Sequence, residues 1–484
     1  MFFKDIKFGK TDASNELMEF GDDYYLSSFL EYERYCIEDF FEGRKYFILG
    51  RKGTGKTALL KYMECKFREK VENLVIPIRF KSDFDEVDRK NVKRTSFLAQ
   101  EVIENNNEKL KSYVSSWQVY LIYQIFKHTN SENAEYSVFC NNKEYRLIWK
   151  LLSMIYGEDG GNKIVPKISR GLIDISAGTQ GIDANLAAEI ELNNNKINYA
   201  ITAKKIIDMY QRLSFDRTPV YILIDELELS VKTKKQREAD IELVRDLIIA
   251  VDRMNRVSKD KSYAVNFYAS VRTDVVDSVL SSGYEINKCT EDYGVTIEWY
   301  QRGGNYVDNP LLKLLEKKVN ASEKENLEKE SNNVWETYFE NKIQGMEIRK
   351  FLLNFSWYRP RDVIRMMTFA QEYCKKDTER VNQEIFDRAI QQYSNKMWNE
   401  VSEEISLKYT QEDIKAIKKI LTGIQVPFGF SDINSRMKEL AVHYDCVEKF
   451  SNKYKMTDVL EMLFDWGIVG NSGERMVFSF VLSR

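Results

Sequence analysis

"KYFILGRKGTGKTALLKYME", Lys45 to Glu64, sets an apolar run, a loop of glycines and lysines, and a helix-forming run in direct succession. Gly50, Gly55, Lys56 and Thr57 stand at the spacing GxxxxGK[ST], with Gly53 as a further glycine inside the loop. Glycines at these positions let backbone N–H groups converge on phosphate oxygens, and the N-terminus of the following helix adds positive potential. Lys56 is placed to reach the β and γ phosphates and the Thr57 hydroxyl to ligate Mg²⁺. The expected nucleotide-facing stretch is therefore Gly50, Arg51, Lys52, Gly53, Thr54, Gly55, Lys56, Thr57 and Ala58, with Lys56 acting in catalysis as well.

A phosphate loop that works with a metal needs a carboxylate, and "VYILIDELE", Val220 to Glu228, supplies one after five apolar residues. Asp225 is expected to hold Mg²⁺ through its water shell, and Glu226 to orient and deprotonate an attacking water. Glu228 is a lesser candidate for the same site. The run "NFYASVRTD", Asn266 to Asp274, reads as another strand whose end carries Ser270, Arg272 and Asp274. Strand C-termini are where an open α/β sheet places its ligand-facing groups, so Arg272 is a candidate sensor of the γ-phosphate. In "WYRPRDVIRMM", Pro360 sets a sharp helix start, which puts Arg359 and Arg361 where a guanidinium could reach across a cleft. Asp362 is the ordinary ion-pair partner for either.

Around these motifs, the 484-residue chain is long enough for roughly two to four domains. Hydrophobic residues make up 43% and charged residues 30%, the balance of a globular chain and not of a disordered tail. Scarce glycine and proline favour long helices. The formal net charge is -3, with Lys and Arg dispersed, so nucleic-acid binding is possible but not indicated by charge. Six cysteines lie far apart without a CxxC pair and there are only two histidines, which argues against a zinc site or a disulfide framework. No run approaches the roughly 18 apolar residues of a membrane helix and the start is broken by charges, so the expectation is a cytoplasmic protein with no membrane partner.

The order strand, loop, helix and strand ("NLVIPIRF") predicts a parallel α/β sheet. Residues 26–43, "LSSFLEYERYCIEDFFEG", read as one amphipathic helix ending at Gly43. The expected domains are a lead and helix over 1–44 and an α/β core over 45–310. That core contains a mostly helical insertion at about 81–200, whose "GLIDISAGTQGIDANLAAEIEL" reads as a hairpin. A helical linker and lid are expected over 311–405, and a last domain over 406–484. The charged segment 311–339 is expected to be a solvated helical connection, and "WGIVGNSGERMVFSFVL" to be a closing hairpin.

Taken in order, the motifs resemble the AAA+-related branch of P-loop ATPases that includes the origin-recognition and STAND signalling types. "GRKGTGKT" is like Walker A, "YILIDE" like Walker B, "SVRTD" like the sensor 1 strand and "RPRD" like the sensor 2 region, although the usual GxxR form is absent there. "FGKTDASNE", "FILGRKGTGKTAL", "RPRDVIR" and "VLEMLFDWGIVGN" are similar to bacterial P-loop ATPases found in mobile and defence loci. The resemblance implies a P-loop NTPase core, a helical lid, a winged-helix-like C-terminal domain, and ATP with Mg²⁺ as cofactors. It further implies an ATP-hydrolysing switch that serves an anti-phage defence or stress system, working as a homo-oligomer, with a separate effector protein, or both. The alternative is an ATP-dependent DNA-binding initiator or loader, against which the balanced charge of the last domain speaks.

Overall fold

The computed structural model describes residues 1–79, 113–130, 136–156, 168–169, 172–174, 190, 196–227, 234–281, 286–301, 305–327, 330–406, 408–425, 428–465, 468–471 and 478–479. The chain forms two compact units. An α/β unit comprises residues 12–229 and 237–298, and a helical unit comprises residues 1–11, 230–236 and 299–484.

The α/β unit is built on β1 (Phe47–Gly50), β2 (Leu74–Arg79), β3 (Val220–Leu227), β4 (Val265–Arg272) and β5 (Gly294–Thr296). These five run parallel in the order β2-β3-β4-β1-β5. Parallel strands covered on both faces need unbroken apolar runs, and Phe47, Ile48, Phe267, Tyr268, Ala269 and Val271 are all buried. The order inserts β4 between the phosphate-loop strand β1 and the carboxylate strand β3. That insertion brings Ser270 and Arg272 between the two motifs. β1 begins to pair with β4 only at Phe47↔Ala269, leaving the earlier part of β4 without that neighbour. Asn255, on the helix Lys234–Lys261, covers the gap: its Nδ2 donates to Phe267 O at 2.8 Å and its Oδ1 accepts from Phe267 N at 3.0 Å.

The stretch expected as one helix over 26–43 is instead three short pieces. They are Asp22–Ser28, a 3₁₀ turn Glu33–Tyr35 and Ile37–Phe41, with Cys36 between the last two at φ 46°. The reason lies in what the aromatic side chains reach. Tyr25 Oη donates to Ala58 O at 3.0 Å, Phe29 stacks on Tyr62 at 4.2 Å, and Tyr35 Oη donates to Glu298 O at 3.2 Å. The Phe40 carbonyl accepts from Tyr268 Oη at 2.7 Å. A single straight rod could not serve such separated anchors, so tertiary contacts override the helical periodicity.

Of the expected insertion, the helices Val114–Thr129 and Lys143–Tyr156 are described, followed by Tyr199–Tyr210. They pack into the α/β unit. Trp117 Nε1 donates to Leu243 O at 3.1 Å, the Tyr113 amide donates to Asp246, and Tyr263 Oη donates to Tyr210 O at 3.0 Å. Residues 172–174 pair antiparallel with 168–169 and 196–198, while most of the expected hairpin over 171–192 lies outside the described residues.

In the helical unit, the segment expected as a solvated connection is part of the core. On the helix Pro310–Leu327, Leu311, Leu312, Leu315 and Val319 are buried, and Ser322 and Glu323 with them. The Glu323 carboxylate accepts from Ser331 N at 2.8 Å, Ser331 Oγ at 2.5 Å and Tyr338 Oη at 2.6 Å. The first eleven residues join this unit. Phe3 N donates to Thr378 O at 2.9 Å, Gln371 Nε2 to Ile6 O at 2.8 Å, and Lys7 N to Ser322 Oγ at 2.9 Å. The lead expected over 1–44 is therefore shared between both units.

The helices Ile348–Phe355, Pro360–Tyr373 and Gln383–Ile405 follow. Beyond them, Gln411–Leu421, Phe430–His443, Asp445–Lys453 and Met456–Asp465 close around Ile414, Ile417, Phe450, Val459 and Leu463. Gly470–Asn471 then pairs antiparallel with Phe478–Ser479. The architecture is that of an α/β P-loop NTPase core with a helical C-terminal region.

Candidate functional site

The phosphate loop joins β1 to the thirteen-residue helix Lys56–Arg68. A Cβ on Gly50 would stand 2.6 Å from Thr54 Oγ1 and 3.3 Å from Ile297 O, so the close approach of loop and β5 end admits only glycine. Gly53 and Gly55 take φ of 82° and 97°, the left-handed region that lets successive N–H groups turn inward. Thr54 Oγ1 donates to Arg51 O at 2.9 Å and Lys56 Nζ donates to the same carbonyl at 3.0 Å, so the lysine lies along the loop. Thr57 and Ala58 form the first helical turn, where the helix dipole is felt most. Tyr25 braces that turn through Ala58 O, and burial, reinforced by Glu16, pushes its phenol well above the usual range. The hydroxyl therefore stays protonated and keeps donating.

Asp225, Glu226 and Arg272 lie at the carboxyl edge of the sheet. In register, Gly50 is opposite Arg272 and Arg79 is opposite Asp225. The β3–β4 register shifts between Ile224 and Leu227, so Asp225 and Glu226 occupy a bulge. A bulge breaks strict side-chain alternation and re-aims residues at a sheet edge. Ser270, 2% exposed, donates its hydroxyl to Asp225 Oδ1. Glu226 is the next residue of β3, and Glu228 lies outside the described residues.

Arg272 is directed along the rim by a two-bond pair with Asp274, Nε to Oδ1 and Nη2 to Oδ2, both at 2.9 Å. Asp277 on the following helix, Thr273–Ser281, has its carboxyl raised by burial and by Asp274, with Arg51 acting in the opposite sense. Acidic groups thus flank both arginines at this edge.

Arg359 and Arg361 belong to the helical unit. They follow Trp357 and Tyr358, which take φ of 53° and 55° in succession. Two bulky residues in the left-handed region constitute backbone strain of the kind that accumulates at functional turns. Arg359 is the residue before Pro360 at the helix start, and its guanidinium lies over the Trp357 ring at 5.1 Å. Asp362, offered by the sequence as partner to Arg359 or Arg361, pairs instead with Arg365 at 3.4 Å, while Arg365 also reaches Glu400 Oε1 at 2.6 Å. The sequence places Arg365 one helical turn after Asp362, on the same face, and that i,i+3 spacing is the signal that identifies the true partner. Burial raises the Asp362 carboxyl to about 6, against the opposing pull of Arg359 and Arg365.

Sequence reading missed Tyr25 as a brace of the helix turn and Ser270 as the partner of Asp225. The alternation of β4 hints at the second, because Ser270 and Arg272 share a strand face. Nothing local hints at the first.

Strand order, loop and carboxylate edge together define a P-loop NTPase. Residues 14–233 match the family model ORC-CDC6-like, and residues 309–402 match that of the FunZ-associated C-terminal helical domain. The two matches support an ORC/AAA+-like, nucleotide-binding ATPase. The first runs from the helix Ala13–Phe20 through the loop and Asp225, whereas β4 falls between the two matched stretches. No curated protein matches the chain. Among the described residues no helix is long and apolar enough to cross a membrane.

Proposed function

We propose that the protein hydrolyses ATP with Mg²⁺ and uses the change of nucleotide state as a molecular switch. The observation that carries this reading is the convergence, at one sheet edge, of a glycine-shaped phosphate loop and a carboxylate held by a buried hydroxyl. The residues suit the nucleotide, because Gly53 and Gly55 take the left-handed turn that directs successive backbone N–H groups inward, and the space beside Gly55 is open to 4.0 Å, while Gly50 packs the loop against Thr54 and Ile297. They suit the metal as well. Thr57 and Asp225 offer hard oxygen donors, and Mg²⁺ in such sites is carried mainly by phosphates and water, so one or two protein oxygens are enough.

Bound there, Mg²⁺ would neutralise charge on the transferred phosphoryl group. Lys56 would leave Arg51 O and donate to the β and γ oxygens. Glu226 would orient and deprotonate water, Arg272 would read the γ-phosphate, and Arg359 or Arg361 would contribute from the helical unit. Occupancy would then bias the states available to that unit and so to a partner. With the resemblance to ATPases of defence loci, we place the switch in the cytoplasm of a bacterial defence or stress system, as a homo-oligomer or with a separate effector protein. The ORC-CDC6-like match also suits an ATP-controlled DNA loader. The terminal helices of this chain, however, interleave Glu412, Asp413, Glu439 and Glu448 with their lysines, and phosphate binding calls for a basic face.

Glu226→Gln is the test. It is expected to keep nucleotide affinity and to lower turnover by about 10²–10⁴-fold, the usual contribution of a general base. Unchanged hydrolysis in that variant would remove Glu226 from the mechanism.

A further inference from the structure

In the buried run Phe267 to Val271 of the central strand β4, Ser270 is the residue that places a small hydroxyl inside the sheet. A hydroxyl at 2% exposure without a partner would be costly, and a serine there is explained by what it bonds. Its partner is Asp225 Oδ1, across the strand boundary from β4 to β3. Asp225 needs such support because it sits in the register shift, where ladder pairing with β4 no longer fixes the backbone. A serine hydroxyl has one proton to give. Giving it to Oδ1 commits that oxygen and limits rotation of the carboxylate.

We infer that Ser270 is a positioning residue for the metal-facing carboxylate: its hydroxyl holds Asp225 Oδ1 and leaves the second oxygen for the water shell of Mg²⁺. The inference rests on the proposed ATPase reading. It goes further by assigning metal-dependent nucleotide binding to a strand that lies outside both matched stretches. On this assignment Ser270 contacts the carboxylate and not the nucleotide or the metal. It acts through Asp225, and its loss should weaken the contribution of Mg²⁺ without weakening the phosphate loop.

The test measures affinity for a fluorescent ATP analogue in EDTA and in saturating Mg²⁺, on the full chain. Ser270→Ala should bind as the wild type does in EDTA and lose about tenfold of the enhancement by Mg²⁺, the typical effect of deleting one hydrogen bond to a charged group. Asp225→Asn should lose the enhancement, and adding Ser270→Ala to it should change nothing further, because both act through one carboxylate. If the alanine variant does not fold, Ser270→Cys fills nearly the same space with a much weaker donor and should show the same loss. Full enhancement in a folded Ser270 variant, or additive losses in the double variant, would overturn the inference. Lys56→Ala in EDTA separates the two levels. If it binds nucleotide like the wild type, the phosphate-loop reading fails and the inference with it; if it loses binding while Ser270→Ala keeps full enhancement, only the role of Ser270 fails.

Discussion

At the carboxyl edge of the sheet, Asp225 accepts from Ser270 and Arg272 pairs with Asp274, and both Asp225 and Arg272 remain partly open to solvent. In the helical unit, Glu323 and Asp362 are buried and closed off, the first by Ser331 and Tyr338, the second by Arg365 with Glu400 beyond it. Both regions are polar, but their satisfaction differs. Groups that must exchange partners with phosphate and metal sit where water can replace a contact that is given up. Groups that set how helices pack have their hydrogen bonds completed inside the protein, where low dielectric makes an unpaired charge expensive. Strain is divided too: the adjacent left-handed residues Trp357 and Tyr358 come just before the closed network in the chain, directly ahead of Arg359.

The sharpest test of this contrast is Lys56→Ala. It should lower ATP affinity by about a hundredfold or more, since it removes the charge-assisted bonds to the β and γ phosphates. Thermal stability without nucleotide should change little, because the bond from Lys56 to the Arg51 carbonyl lies at the exposed surface of the loop. A large loss of stability would mean that the loop is as closed a structure as the Asp362 network.

Asp362 makes the opposite prediction, with stability moving and affinity not. Its carboxyl stands at about 6 in the folded chain because burial disfavours the charged form, above its ordinary unfolded value of about 4. The folded chain therefore binds this proton more tightly. The stability it contributes is fully present below about pH 4 and is lost as pH rises through about 6. Across that window the group should account for about 2–3 kcal/mol of unfolding free energy, and Asp362→Asn should flatten the pH profile of denaturant unfolding by that amount. An unflattened profile would mean that Arg359 and Arg365 already neutralise the penalty of burial.

Legibility in the sequence follows the same division. The loop and its flanking strand and helix could be read because the chemistry is local: one unbroken stretch from Gly50 to Thr57 performs one task. The apolar runs that became β3 and β4 were legible because parallel strands inside a sheet are buried on both faces, and β2, at the sheet edge, by the alternation of buried Leu74, Ile76 and Ile78 with more open residues. Their order was not, since it is decided by crossovers between residues far apart. Period alone misjudged residues 26–43, where Phe29, Tyr35 and Phe40 each answer to a different distant group. Charge alone misjudged 311–339, where Lys318, Ser322 and Glu323 are buried beside the leucines. For Asp362, adjacency in sequence offered Arg359 or Arg361 as partner, whereas the helix brings Arg365 onto the same face.

The smallest effect concerns Arg272, at the rim of the open region. Its side chain is 17% exposed and paired with that of Asp274, which is 56% exposed, so solvent screens the pair and its contribution is at most about 1 kcal/mol. If Arg272 turns from Asp274 to a γ-phosphate, that small energy opposes ATP binding and not ADP binding. Asp274→Asn should then raise affinity for ATP by about two- to fivefold and leave ADP unchanged. In an Arg272→Ala background, the same Asp274→Asn change should have no effect on ATP affinity, because the carboxylate acts through the guanidinium it holds. Equal gains for ATP and ADP would instead point to general relief of negative charge from Asp274 beside the loop, and Arg272 would then be a rim residue, as settled in its pair as Arg365 is in the helical unit.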